Sequence, residues 1–262
     1  MFELVYANGD SFTSGMEILE DKSLAEENKA HAYPMHITDL MGVTQHHNSS
    51  LPGATNEFIA RQTIMDLLRF KQDGQDLSKV FVIIGWSSIC RLEVSAKDEI
   101  KMLKAQDMWP PAGMTSYELK LFGTNFVNAS INKFLLDKDG NKVFDFGDEA
   151  QEFCARYLWD DELEYEKWFT NIVMLVEFFK NNNIKYFMHN TVHPWNSLMK
   201  IRPNLFQSEY FGKNYYEHDT QALMEWGDTH YPYLRRQEGH FQKQVHVKFA
   251  EMVHPYIMEH CV

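Results

Sequence analysis

The sequence predicts a three-layer α/β domain around a parallel sheet, and three observations carry that expectation. Short apolar runs alternate with longer amphipathic stretches, the rhythm of βαβ units. One run, Val80 to Ile84 (Val-Phe-Val-Ile-Ile), is apolar at every position, as a strand covered on both faces requires. The runs also stop at small or polar residues: Asn8-Gly9-Asp10-Ser11 after the first and Gly85-Trp86-Ser87-Ser88 after the third. Such stops mark chain turning out of a sheet.

Taken in order, Phe2 to Ala7 reads as the first buried strand. A helical stretch from Ala25 to Met41 follows, interrupted near Pro34, and Val43 to Asn48 reads as the second strand. Asn56 to Phe70 carries Phe58, Ile59, Ile64, Leu67 and Leu68 at helical spacing. Val80 to Ile84 is the third strand. Residues from about 94 to 160 break the rhythm and read as an insert. Within it, two apolar runs flank Asp139-Gly140, the signature of a β-hairpin. Asp137-x-Asp139 hints at a calcium loop, but its glycine sits too early for one. Asp161 to Lys180 is an amphipathic helix stopped by Asn181-Asn182-Asn183. Ile184 to Met188 is a fourth strand, and a last helix runs from about Gln242 to Glu259.

A chain of 262 residues can bury a large core as one domain. The net charge of −12 argues against a nucleic-acid or anionic-membrane partner, since both call for a basic surface. Cys90, Cys154 and Cys261 are too sparse for a zinc pattern or a disulfide framework and fit reduced thiols. Met1 to Ala7 has no basic lead, and no apolar run reaches the length of a membrane span. A cytoplasmic location is the expectation.

Ligands of open α/β sheets bind at the carboxyl ends of the strands. Ser11 follows the first strand, where turn N–H groups can steady an oxyanion; taken alone, Asp10-Ser11 reads equally as a helix cap. Gly53, within Leu51-Pro52-Gly53, lies after the second strand, and Ser87 after the third. Near the far end stands Glu238-Gly239-His240-Phe241, then His246 and Ala250. A carboxylate near a histidine can hold the tautomer that accepts a serine proton.

In their order and places, these motifs resemble the blocks of the GDSL/SGNH hydrolase family. Gly9-Asp10-Ser11 looks like the nucleophile block, Gly53 like the second-block oxyanion glycine, and Glu238 to Ala250 like the block of the catalytic histidine. Gly85-Trp86-Ser87-Ser88 stands where the third block belongs, with Ser87 in place of the family's asparagine. The resemblance covers roughly residues 1–93 and 160–262. It implies a single α/β/α sandwich with a flavodoxin-like parallel sheet over residues 1–262. It also implies a serine esterase acting on a small acyl ester, within a range of acetylated sugars and lipids, and no cofactor or metal; with no apolar lipid-entry segment in the sequence, acetylated carbohydrate is the expected substrate. Ser11 would be nucleophile, His240 base and Glu238 the orienting acid. Gly53 would serve the oxyanion and substrate site, with Ser87, Asn56 and Asp10 beside it. A catalytically impaired binding or structural protein on the same fold is the alternative.

His230, in Asp228-Thr229-His230, rivals His240, and Glu251-x-x-His254-Pro255 offers a third pair. His189 and His193, and His46 and His47, read as cleft or surface groups, whereas Arg91 with Glu93 reads as a structural ion pair before a cleft lining. Tyr210-Phe211 and Tyr215-Tyr216 read as a lid, a sugar platform or packing.

Overall fold

A computed structural model describes residues 2–19, 25–88, 93–95, 126–128, 134–136, 142–145, 161–192, 209–217, 221–236 and 239–262. Strand β1 (Leu4–Gly9) leads through the short helix α1 (Ser11–Ser14) to α2 (Ala25–Lys29) and α3 (Tyr33–Leu40). Then come β2 (Gln45–Asn48), α4 (Asn56–Gln72) and β3 (Val80–Trp86). Four short strands follow: β4 (Glu93–Ser95), β5 (Phe126–Asn128), β6 (Phe134–Leu136) and β7 (Lys142–Asp145). The chain closes with α5 (Asp161–Asn181), β8 (Lys185–Asn190), α6 (Leu223–His230) and α7 (Lys243–His260).

The main sheet has the order β2-β1-β3-β8, with every pairing parallel. Strand β1 is central, so the chain runs out to β2 on one side and returns across β1 to β3 on the other. That reversal places a crevice between the carboxyl ends of β1 and β3.

Alternation along the strands sorts the core into two layers. Leu4, Tyr6, Val82, Ile84, Trp86 and Met188 face α4 and α5, meeting Phe58, Ile59, Trp168 and Ile172. Val5, Ala7, Phe81, Ile83 and Phe187 face the other way, onto Tyr33 and Ile37 of α3 and Val245, Phe249 and Val253 of α7. Each large apolar side chain so buried contributes about 1.5–3 kcal/mol. Both faces of the sheet are therefore covered, which is why Val80 to Ile84 has no polar position.

The expected elements are present with shifted ends. Pro34 lies in the first turn of α3 and starts that helix, because a proline's missing N–H costs nothing there. The second strand comprises Gln-His-His-Asn, half-exposed at the edge of the described sheet, so it lacks the apolar signal of a buried strand. Helix α4 begins where Thr55 caps the Phe58 N–H at 3.1 Å. The hairpin exists as the antiparallel pair β6–β7, Leu135 facing Phe144; Asp137, Asp139 and Gly140 lie outside the described residues. The pair β4–β5 and the helix α6 carried no clear sequence signal. Among the described residues, no helix is long and apolar enough to cross a membrane.

Two glycines set the spacing at the sheet's carboxyl edge. A Cβ on Gly9 would lie 2.2 Å from Thr13 Oγ1, and one on Gly85 would lie 2.3 Å from the same atom. The Thr13 side chain thus occupies a notch that only paired glycines leave open. Gly85→Ala, whose methyl would also stand 2.8 Å from Thr191 Cγ2, should lower unfolding free energy by about 1–3 kcal/mol. Urea titration reads this directly, and an unchanged midpoint would contradict the notch.

Candidate active site

Asp10 organises the carboxyl ends of the strands. It is fully buried and caps α1, its Oδ1 accepting from Phe12 N at 3.0 Å. Its Oδ2 accepts from Ser87 Oγ at 3.2 Å and from Thr191 Oγ1 at 2.9 Å. One carboxyl group therefore joins the ends of β1, β3 and β8. Expected beside the substrate, Asp10 instead spends both oxygens inside the protein.

Ser11 opens α1 and is 4% exposed. Its carbonyl accepts from Ser14 Oγ at 3.0 Å and from Met16 N at 2.9 Å, so that carbonyl is held by two donors. The helix ends after one turn because Gly15 takes a left-handed conformation at φ 71°.

The segment after β2 is docked onto β1. Leu51 N donates to Gly9 O at 3.0 Å, and Ala54 N closes a β-turn onto Leu51 O at 3.0 Å. Pro52 and Gly53 fill the central positions, Gly53 at φ 82°. A turn of this kind takes proline first and needs a residue tolerant of positive φ second. Gly53 is thereby tethered, through the Leu51–Gly9 bond, to the strand that delivers Ser11.

Asn56 and Ser87 are brought together, each with its polar groups engaged. The Asn56 side chain accepts from Ser87 N at 2.9 Å and donates to Ser87 O at 3.2 Å. This reciprocal pair fastens the start of α4 to the end of β3. The Ser87 hydroxyl turns to Asp10. Both residues were expected beside the oxyanion and substrate site; here one side chain clasps backbone and the other faces inward.

His240 arrives from the far end of the sequence and meets α1. Its ring lies 5.2 Å from the Phe12 ring, centroid to centroid. The next residue, Phe241, is fully buried and seated on Gly227, where any Cβ would stand 2.3 Å from its ring. This anchor sets where His240 points. Nδ1 of His240 lies 2.8 Å from Glu17 Oε2, with both side chains largely buried. Glu238 lies outside the described residues. Sequence reasoning missed Glu17, which is remote from His240 in the chain. Its backbone is distinctive, with φ at 66°, a conformation costing a non-glycine residue roughly 1–3 kcal/mol. No hydrogen bond joins the Ser11 hydroxyl to the His240 ring among the described residues.

The rival histidines have other partners. His230 is exposed, its Nδ1 2.8 Å from Trp226 O of its own helix, and Asp228 pairs with Arg235 at 2.6 Å. Glu251 pairs with Lys248 at 2.7 Å, away from His254. His193 and Arg91 lie outside the described residues. Phe211 and Tyr215 are buried against Trp168, and Tyr215 Oη donates to Asn190 at 2.7 Å; this aromatic segment is core packing. His46 and His47 line a cavity of about 650 Å³ with Leu4 and Gln75. That cavity opens at the amino ends of β1 and β2, away from Ser11. Among the described residues, no cluster of three or more metal-ligating side chains occurs.

Two other histidines are buried beneath the site. Nε2 of His189 lies 2.6 Å from Tyr33 Oη, which in turn contacts Thr13 Oγ1 at 3.1 Å. His246 Nδ1 accepts the otherwise uncapped Tyr33 N–H at 3.3 Å. Burial pulls His189 down to about 4 and His246 down to about 3.

No family model and no curated protein matches the sequence. Solved structures that resemble the chain include a psychrotrophic esterase, EstA, from Pseudoalteromonas sp., 12% identical, with 98% of this chain and 97% of that one covered and a TM-score of 0.46. Another is an acetyl xylan esterase, Est2A, from Butyrivibrio proteoclasticus, 11% identical over 99% of this chain and 64% of that one, TM-score 0.44. A third is a GDSL-like lipase from Bacteroides thetaiotaomicron, 13% identical over 98% and 88%, TM-score 0.41. At such identities no residue role transfers, and the site rests on the geometry of this chain.

The depressed histidines set a sign for the pH response. Between pH 6.5 and about 4 the unfolded chain protonates these rings and the folded chain does not, so acid favours unfolding. The unfolding free energy should fall as pH drops through that window. His246→Gln should flatten the fall, as measured by denaturant titration across pH; an unaltered slope would count against buried neutral His246.

Proposed function

We propose that the chain is a serine esterase of the GDSL/SGNH type, with Ser11 as nucleophile and His240 as base. The observation that carries this is the meeting of α1, which begins with Ser11, and a histidine whose Nδ1 is already engaged. A ring bound through Nδ1 keeps Nε2 as its proton acceptor. Hydroxyl-to-base contacts that are open in a free enzyme close when substrate binds.

Ser11 Oγ attacks the ester carbonyl while its proton passes to His240 Nε2. The N–H groups of Ser11 and Gly53 steady the resulting oxyanion. Collapse breaks the bond to the alcohol, which leaves with the proton held by His240, and an acyl-Ser11 remains. Water, deprotonated by His240, then releases the acid and restores the hydroxyl. We favour a small acyl ester, acetyl on carbohydrate, as substrate. The net charge of −12 disfavours phosphate-rich partners.

One observation favours a second reading, a binding protein on the same scaffold. The third oxyanion donor is missing because Ser87 Oγ is turned to Asp10, and loss of one such donor costs about 2.7–4 kcal/mol of transition-state stabilisation.

A fluorophosphonate probe with mass mapping separates the two. The adduct is expected on Ser11, and Ser11→Ala should lose it together with roughly 10³-fold or more of acetyl-ester turnover. A chain that neither labels nor turns over acetyl esters would leave the binding reading standing.

A further inference from the structure

Resting on the esterase reading, we infer that Glu17, in the turn that follows the helix of the nucleophile, is the positioning carboxylate of His240. Three features of the chain lead there. The contact is direct, Glu17 Oε2 to His240 Nδ1 at 2.8 Å, with side-chain exposures of 8% and 14%. A carboxylate at Nδ1 fixes the tautomer whose Nε2 accepts a proton, and it stabilises the imidazolium formed during attack.

The second feature is how Glu17 is held. Gly15 N donates to Phe12 O at 3.3 Å, Met16 N to Ser11 O at 2.9 Å and Ile18 N to Gly15 O at 3.1 Å. This ladder hangs the turn from α1, so Ser11 and Glu17 move as one rigid piece. The third is the backbone of Glu17, held at φ 66°. A carboxylate kept in a conformation suited to glycine or asparagine points to a constraint stronger than turn preference.

Among the described residues, Arg235 and His246 are turned to other partners. Arg235 Nε donates to Gly239 O at 3.0 Å, and its guanidinium is paired with Asp228. His246 is turned to Tyr33. The proton shuttles only between Ser11, His240 Nε2, the leaving alcohol and water.

The test compares Glu17→Gln, Glu17→Asp and Glu238→Gln with the wild-type chain on an aryl acetate, each normalised to fluorophosphonate-reactive Ser11. Glu17→Gln should reduce kcat by about 10²- to 10⁴-fold with little change in KM. Glu17→Asp should recover part of the rate. Glu238→Gln should lose at least tenfold less than Glu17→Gln. A wild-type chain that labels and turns over, with Glu17→Gln equally fast or Glu238→Gln the slower variant, overturns this assignment alone. A wild-type chain inert to probe and ester overturns the esterase reading and this assignment with it.

Discussion

The carboxyl group of Asp10 is the contact on which the carboxyl edge of the sheet depends. It accepts from the backbone of α1 and from hydroxyls beyond β3 and β8. Three strand ends that share no covalent neighbour are thereby fixed around one buried group. Burying a carboxyl is costly unless its oxygens are hydrogen-bonded, and here both are. The arrangement also explains a division of labour within Gly9-Asp10-Ser11. The aspartate builds the platform, and the glycine gives Thr13 its space.

Beneath that platform runs a polar chain through an otherwise apolar layer. Thr13, Tyr33 and His189 are linked by contacts of 3.1 and 2.6 Å, and His189 Nδ1 lies 3.0 Å from Asn190 O. With His189 kept neutral by burial, the chain has one consistent polarity: Nδ1–H donates to the carbonyl and Tyr33 Oη donates to Nε2. It couples α1 to α3 and to β8. Because unpaired polar atoms in this layer would be expensive, the network admits few alternative packings. For the proposed esterase, the rigidity given to α1 would bear directly on reactivity, since nucleophile and base must be closely positioned.

The Ser87–Asn56 pair shows how structural and chemical demands compete for the same side chains. In a site of this architecture an amide near the end of β3 is well placed to donate to an oxyanion. In this chain the amide comes from α4 and clasps the Ser87 backbone, while the serine hydroxyl completes the Asp10 cluster. Two donors are thus absorbed by the joint between β3 and α4. On the esterase proposal, oxyanion stabilisation would fall to backbone N–H groups, and the Gly53 turn, bonded through Leu51 to the end of β1, is the proposed source of one.

The strand pattern was legible because both faces of the sheet are covered, which forces unbroken apolar runs at Leu4–Ala7 and Val80–Ile84. The turn at Pro52-Gly53 was legible because its backbone angles admit few residue types. The polar edge strand was less so, since a half-exposed strand need not be apolar. By itself, then, the sequence determined the layers, the parallel sheet and the places where Ser11, Gly53 and His240 leave their elements; periodicity and turn chemistry are local and written in neighbouring residues. Tertiary structure alone decided that Asp10 ties strands together, that Ser87 turns inward, and that Glu17, far away in the sequence, reaches His240. Those partners are separated by long stretches of chain, and no spacing rule links them, because their distance is set only when both layers close on the sheet.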